Sequence, residues 1–134
     1  MSSPVVTMES NKNLGSAARI MVKHKIGSVV VVEKKKPVGM ITERDITKQV
    51  IKGDGILKKP VKKLMTKALV TAPPDMSIQE AFELMLMNKI RRLPVLENNN
   101  LMGIVTEKDL MRWVLRVSYE PNIPKHIQMI LDAK

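Results

Sequence analysis

Gly39-Met40-Ile41-Thr42-Glu43-Arg44-Asp45 returns 64 positions later as Gly103-Ile104-Val105-Thr106-Glu107-Lys108-Asp109. The offset holds without a gap over residues 5–51 against 69–115, and 13 of those 47 pairs are identical. The chain is two copies of one unit. A single copy buries too little surface to be comfortable alone, whereas two copies packed face to face share a core and leave paired clefts between them. The identities are Val6, Thr7, Ala17, Met21, Lys25, Ile26, Val31, Glu33, Gly39, Thr42, Glu43, Asp45 and Val50. The apolar ones read as core positions. The polar group Gly-x-x-Thr-Glu-x-Asp needs a reason other than packing.

Working outward from that group, each copy reads β-α-β-β-α. In copy two, Ser77-Ile78-Gln79-Glu80 is a capping-box pattern, and Ile78, Ala81, Phe82, Met85 and Leu86 follow at helical spacing. Copy one repeats the stripe as Leu14, Ala17, Ala18, Met21 and Val22, with Asn13 as cap. Apolar runs at 28–32 and 93–96, too short for helices, predict strands. Polar tips at 33–36 and 97–100 then turn the chain into second strands at 38–41 and 102–105, making hairpins. Helices are expected to open near Glu43 and Glu107, and a short strand ahead of each copy at 5–7 and 69–71. Gly53-Asp54-Gly55 ends copy one and residues 58–63 carry the chain across. This gives repeat 1 at 1–57, repeat 2 at 58–120, and a terminal piece at 121–134 that begins with a break at Pro121 and Pro124. That piece suits a short helix with Ile127, Ile130 and Leu131 on one side. It must dock on its own module or on a second chain to be stable.

Composition narrows the chemistry. With 134 residues and 44% hydrophobic content the chain fits one compact α+β domain. No apolar run approaches the roughly 18 residues of a membrane span, and the N-terminus lacks the pattern of a signal peptide, so an intracellular, cytoplasmic protein is expected. Cysteine is absent and the histidines are only His24 and His126, which leaves thiol catalysis and zinc sites almost nothing to use. The net charge of +10 is uneven: residues 34–67 hold eleven Lys or Arg against three acids, 11 − 3 = +8. Such a stretch can meet phosphates or an acidic partner, or simply keep a surface solvated. Aromatics are reduced to Phe82, Trp113 and Tyr119, so base-stacking platforms are missing.

Two readings compete for the polar group. Thr42 and Asp45 stand at the start of a helix and three residues into it, so they can cap each other, as can Thr106 and Asp109. The same geometry serves a ligand. Free N–H groups at a helix start attract anions, and a carboxylate one turn in can accept the vicinal hydroxyls of a ribose. Cations must then stand near. Arg44 lies in the loop, and copy two supplies Lys89, Arg91 and Arg92 around Ile90 between its helix and strand, where copy one has Lys25, Ile26, Gly27 and Ser28. If the copies face each other, the Asp45 cleft gains Arg91 and Arg92 while the Asp109 cleft, with Lys108 in place of Arg44, gains Lys25 and Gly27. Arginine grips phosphate bidentately, so the Asp45 cleft is expected to hold polyanions more tightly. Val6, Ile26, Val70, Ile90 and Met40 could flank an adenine, or be plain core.

At this point the chain resembles the cystathionine β-synthase (CBS) domain pair, or Bateman module, over roughly residues 4–118. The resemblance rests on two copies of the Val-Thr start, the Lys-Ile segment and Gly-x-x-Thr-x-x-Asp at matched spacing. It implies tandem β-α-β-β-α repeats related by a pseudo-twofold axis, their sheets packed face to face. Two clefts between them would bind AMP, ADP, ATP or S-adenosylmethionine. It implies ribose contacts from Asp45 and Asp109, ribose or phosphate contacts from Thr42 and Thr106, and phosphate contacts from Lys89, Arg91 and Arg92 ahead of Pro94. It also implies a homodimer. The family's lead-in, present as residues 61–66 before copy two, is truncated before copy one, since Met1 occupies the position of Met65.

The expected function is a regulatory sensor of adenosine nucleotides that signals to a regulated protein, with no required cofactor and no catalytic residues. The alternative is a basic adaptor for nucleic acid or an acidic protein.

Overall fold

The computed structural model describes residues 5–67, 69–119 and 126–133; the expected break at Pro121 and Pro124 and the position of Met1 lie outside them. Two compact units form, one from residues 6–69 and one from residue 70 onward. Both are mixed α and β. No helix among the described residues is long and apolar enough to cross a membrane.

In the first unit, β1 (Thr7–Glu9) runs parallel to β2 (Ser28–Glu33), which pairs antiparallel with β3 (Lys36–Thr42). Helices α1 (Leu14–His24) and α2 (Glu43–Ile51) cover this sheet, and a 3-10 turn at Ile56–Lys58 leads to the short helix α3 (Val61–Leu64). The second unit repeats the pattern with α4 (Ile78–Asn88), the hairpin β4 (Arg92–Glu97) and β5 (Asn100–Thr106), α5 (Glu107–Tyr119) and α6 (Gln128–Ala133). The strand expected at 5–7 lies two residues later. Its counterpart at 69–71 is reduced to one bridge, Ala72 beside Val95. Pro74 explains the loss. It stands where copy one has Ser10, whose N–H extends the pairing by donating to the Val32 carbonyl at 3.1 Å, and proline has none to give.

The cores follow the apolar stripes. Leu14, Ala17 and Met21 of α1 meet Val29, Val31 and Ile41, while Ile78, Ala81 and Met85 of α4 meet Leu93, Val95 and Val105. Each large side chain buried this way contributes roughly 1.5–3 kcal/mol. Both hairpins carry the same irregularity: Val31 faces Gly39 but Val32 faces Pro37, and Val95 faces Gly103 but Leu96 faces Leu101, so Val38 and Met102 are extra residues. The turns are tighter than the tips 33–36 and 97–100. They take two residues each, Lys34-Lys35 and Asn98-Asn99, all four at positive φ between 50° and 66°. This is the twist that antiparallel strands prefer in a two-residue connection.

Sequence spacing assigns residues 58–69 to copy two, yet they fold into the first unit. Val61 N–H donates to the Lys12 carbonyl, Leu14 N–H to the Lys59 carbonyl, and Thr66 pairs with Met40. The second unit is closed in the same way by its last helix. Ser77 bridges His126 as Asn13 bridges Pro60, and Ile127 N–H reaches the Met76 carbonyl. Val61, Leu64 and Met65 therefore correspond to Ile127, Ile130 and Leu131 at an offset of 66 (127 − 61). The terminal helix docks on its own unit. Gly39 and Gly103 mark the contact: a Cβ on Gly39 would stand 2.8 Å from Met65 Cγ and 3.0 Å from the Thr66 carbonyl oxygen, and a Cβ on Gly103 would strike Leu131.

Candidate functional site

The recurring Gly-x-x-Thr-Glu-x-Asp group places β3 on α2 and β5 on α5 with no intervening loop. Thr42, in extended backbone, ends the strand and caps the helix. Its N–H donates to Asp45 Oδ2 at 2.8 Å and its hydroxyl to the same oxygen at 3.0 Å, while Asp45 N–H donates back to Thr42 Oγ1 at 3.3 Å. Thr106 and Asp109 reproduce two of these bonds, Thr106 N–H to Asp109 Oδ2 at 2.9 Å and Asp109 N–H to Thr106 Oγ1 at 3.1 Å. Both capping boxes are made. Each stabilises its helix by about 1 kcal/mol. The box consumes only part of the Asp45 carboxylate. Among the described residues Oδ1 of Asp45 receives no hydrogen bond, and both aspartates are half-buried rather than sealed.

The loop before the hairpin lies against each box. Glu43 N–H donates to the Gly27 carbonyl at 3.0 Å, and Glu107 N–H to the Arg91 carbonyl at 2.9 Å. Ser28 faces Thr42 across the ladder, and Arg92 faces Thr106. So Gly27 stands with Thr42 and Asp45, and Arg91 and Arg92 stand with Thr106 and Asp109. Arg91 Nε also approaches Glu107 Oε2 at 3.8 Å, an exposed pair worth little to stability.

Lys25 and Lys89 prove to be helix C-caps in left-handed backbone, at φ 55° and 54°. The N–H of Ile26 returns to the Met21 carbonyl and that of Ile90 to the Met85 carbonyl, both at 3.0 Å, and the two isoleucines pack on the cores below. This stop signal accounts for the recurrence of Met, Lys and Ile in both copies. It does not account for lysine in a conformation that glycine or asparagine adopts with less strain. Glycine would serve the cap better.

The remaining expected site residues divide between the units. Val6, Lys25, Ile26, Gly27, Thr42, Arg44 and Asp45 belong to the first; Val70, Lys89, Ile90, Arg91, Arg92, Pro94, Thr106, Lys108 and Asp109 belong to the second. Arg44, Lys108, Lys25, Lys89 and Arg91 are exposed cations. Val6, Ile26, Val70 and Ile90 are half-buried, and Pro94 is buried, its carbonyl accepting from Ala72 N–H at 3.0 Å. One feature escaped the sequence reading: Gln49, where copy two has Trp113, is buried and accepts from Lys59 Nζ at 3.1 Å. No spacing rule marks such a pair.

With this geometry the family is decided. The chain belongs to the CBS domain family, whose model matches residues 1–52 and 61–116. It is 38% identical over 110 residues to the CBS domain-containing protein YhcV of Bacillus subtilis, covering 82% of this chain and 79% of that one. An inosine-5'-monophosphate dehydrogenase of Methanocaldococcus jannaschii is 36% identical over 110 residues, 81% of this chain but 21% of that enzyme. Among solved structures, the CBS domain pair of protein MJ0100, in complex with 5'-methylthioadenosine and S-adenosyl-L-methionine, superposes with a TM-score of 0.78 at 31% identity, over 87% of this chain and 92% of that one.

Proposed function

We propose that this chain is a regulatory module that senses an adenosine compound at its paired threonine–aspartate turns and passes the bound state to a partner protein. The observation that carries the reading is the half-used carboxylate of Asp45. Oδ2 takes both Thr42 bonds, while Oδ1 has no donor among the described residues and the side chain is only half-buried. Such an oxygen suits a ribose hydroxyl, and the positive end of the α2 dipole suits a phosphate. The strained lysines Lys25 and Lys89 add cations at positions where capping alone would favour glycine. The ligands in the MJ0100 structure, both adenosine compounds, support the nucleoside part of the reading. Arg91 and Arg92 stand with the Thr106–Asp109 turn and Gly27 with the Thr42–Asp45 turn, so within its own unit the second turn has the richer supply of cations for a phosphate.

A second copy of the chain belongs to the reading. Val22 and Ile51 in the first unit, and their equivalents Leu86 and Leu115 in the second, are exposed by 80%, 82%, 80% and 61%. Four apolar side chains held at matched positions suit a homodimer contact. We place the module in the cytoplasm, where adenosine nucleotides circulate.

Calorimetry with AMP, ATP and S-adenosylmethionine is the test. Heat is expected from at least one of them, and Asp45→Ala is expected to weaken it by about ten- to a hundredfold. No heat and no thermal shift from any of the three would remove the reading.

A further inference from the structure

The two units offer an internal control on charge. On the first, the hairpin tip Lys34, Lys35 and Lys36 meets helix α3, because Glu33 at the foot of the turn pairs with Lys62 Nζ at 3.1 Å. Lys63 follows on the same helix, and Lys12 is tied to its start through the Val61 N–H bond to its carbonyl. All six lysines are exposed. At the equivalent places the second unit has Met76, Asn98, Asn99, Asn100, Gln128 and Met129. All six are neutral. The same fold is thus built without these charges, and beyond the surface pair of Lys62 with Glu33 stability gives no reason for them.

The turn supplies a second, independent observation. Lys34 and Lys35 sit at φ 50° and 66°, where Asn98 and Asn99 sit at 52° and 64°. Asparagine tolerates that region and lysine does so poorly. A solubilising charge could stand anywhere on the surface. Here lysines occupy the two turn positions least suited to them, projecting from the tip beside α3.

We propose that this lysine ridge docks the phosphate backbone of a nucleic acid duplex without reading its sequence. The ridge holds lysine alone among the cations, so it lacks the forked arginine donors that read base edges in a groove. It holds no aromatic side chain on which bases of a single strand would stack. Protein interfaces are depleted in lysine, whereas phosphate contacts are commonly made by it, so an acidic protein is the poorer match. The ridge belongs to the first unit alone and stands apart from the Thr42–Asp45 box in sequence and chemistry.

The test is binding of the full chain to a fluorescent duplex of random sequence across a salt series. Affinity is expected to fall steeply with salt, and the triple variant Lys34→Asn, Lys35→Asn, Lys36→Asn to bind about tenfold or more weakly with a slope shallower by roughly one unit per lysine in contact. That variant borrows the tip of copy two, so its fold is secure. The reverse variant Asn98→Lys, Asn99→Lys, Asn100→Lys shows whether the second unit can acquire the property, and a gain there supports the ridge as sufficient. Asp45→Ala with Asp109→Ala should leave duplex binding unchanged, which separates this proposal from the sensor reading. Absence of duplex binding at low salt, binding indifferent to the triple variant, or preference for polyglutamate over the duplex would each overturn it.

Discussion

The two units close themselves by different means around the same glycine. In the first, Gly39 receives Met65 and the Thr66 backbone from the segment that leads into copy two; in the second, Gly103 receives only the end of Leu131 from the terminal helix. What this teaches is that the sequence repeat and the folding unit are out of phase. Each unit borrows a short helix from downstream, and the last unit takes it from beyond the repeat. Helices of four and six residues have no stability of their own, so both depend on what they bury.

If that equivalence holds, the terminal helix is structural and its anchor is costly to remove. Ile127→Ala is expected to destabilise the chain by about 3 kcal/mol, since Ile127 is fully buried, and Val61→Ala, its equivalent in α3, by about 2 kcal/mol. Urea titration monitored by circular dichroism measures both. A loss below about 1 kcal/mol for Ile127→Ala would mean that the helix merely rests on the unit.

The glycines sharpen the contrast. A methyl on Gly39 meets a backbone oxygen that can move only with β3's bridge to Thr66, whereas a methyl on Gly103 meets the flexible end of one leucine. Gly39→Ala should therefore cost about 2–3 kcal/mol and Gly103→Ala about 1 kcal/mol. Equal costs in thermal unfolding would argue that the two contacts are made alike.

The hairpin tips predict a change of opposite sign. Replacing Lys34 and Lys35 by the Asn pair of copy two relieves two left-handed lysines and should stabilise by about 0.5–1 kcal/mol in total. Lys25→Gly with Lys89→Gly tests the C-caps, where glycine should stabilise while adenosine binding falls. Stability gained there with no loss of ligand affinity would assign those lysines to the surface alone.

Most of this architecture could be read from the chain because its signals are local and doubled. Asn13, Ser77, Thr42 and Thr106 announce helix starts by residue type, and the apolar runs between them have strand length. Three things were not legible. The first strand of copy two fails because Pro74 removes the donor that Ser10 supplies in copy one, a loss that the spacing of Val70 and Thr71 does not reveal. The bonds from residues 58–66 back onto Lys12 and Met40 are long-range pairings between segments with no shared periodicity. At the site, the sequence names Thr42 and Asp45 but cannot say which carboxylate oxygen the cap consumes. That depends on a side-chain torsion.

The smallest effect concerns Glu33, which recurs as Glu97 but, among the described residues, holds a hydroxyl and a lysine only in the first unit. The Ser10 hydroxyl, at 2.8 Å, is the main cause that lowers the Glu33 pKa, with Lys62 adding a hydrogen bond and its charge. A carboxylate with a depressed folded-state pKa adds stability above its unfolded value, and the gain is lost as pH falls through the folded one. Acid should therefore cost wild type slightly more than Glu33→Gln, and the two stability curves should converge below the carboxylate range. Because the pair is on the surface, salt should shrink the difference further. A gap between the curves that persists in acid would trace the loss to the changed side chain's packing and not to its charge. The same variant also removes the negative charge that pairs with Lys62 at the foot of the lysine ridge, so it should bind a duplex more tightly than wild type while folding slightly less stably at neutral pH.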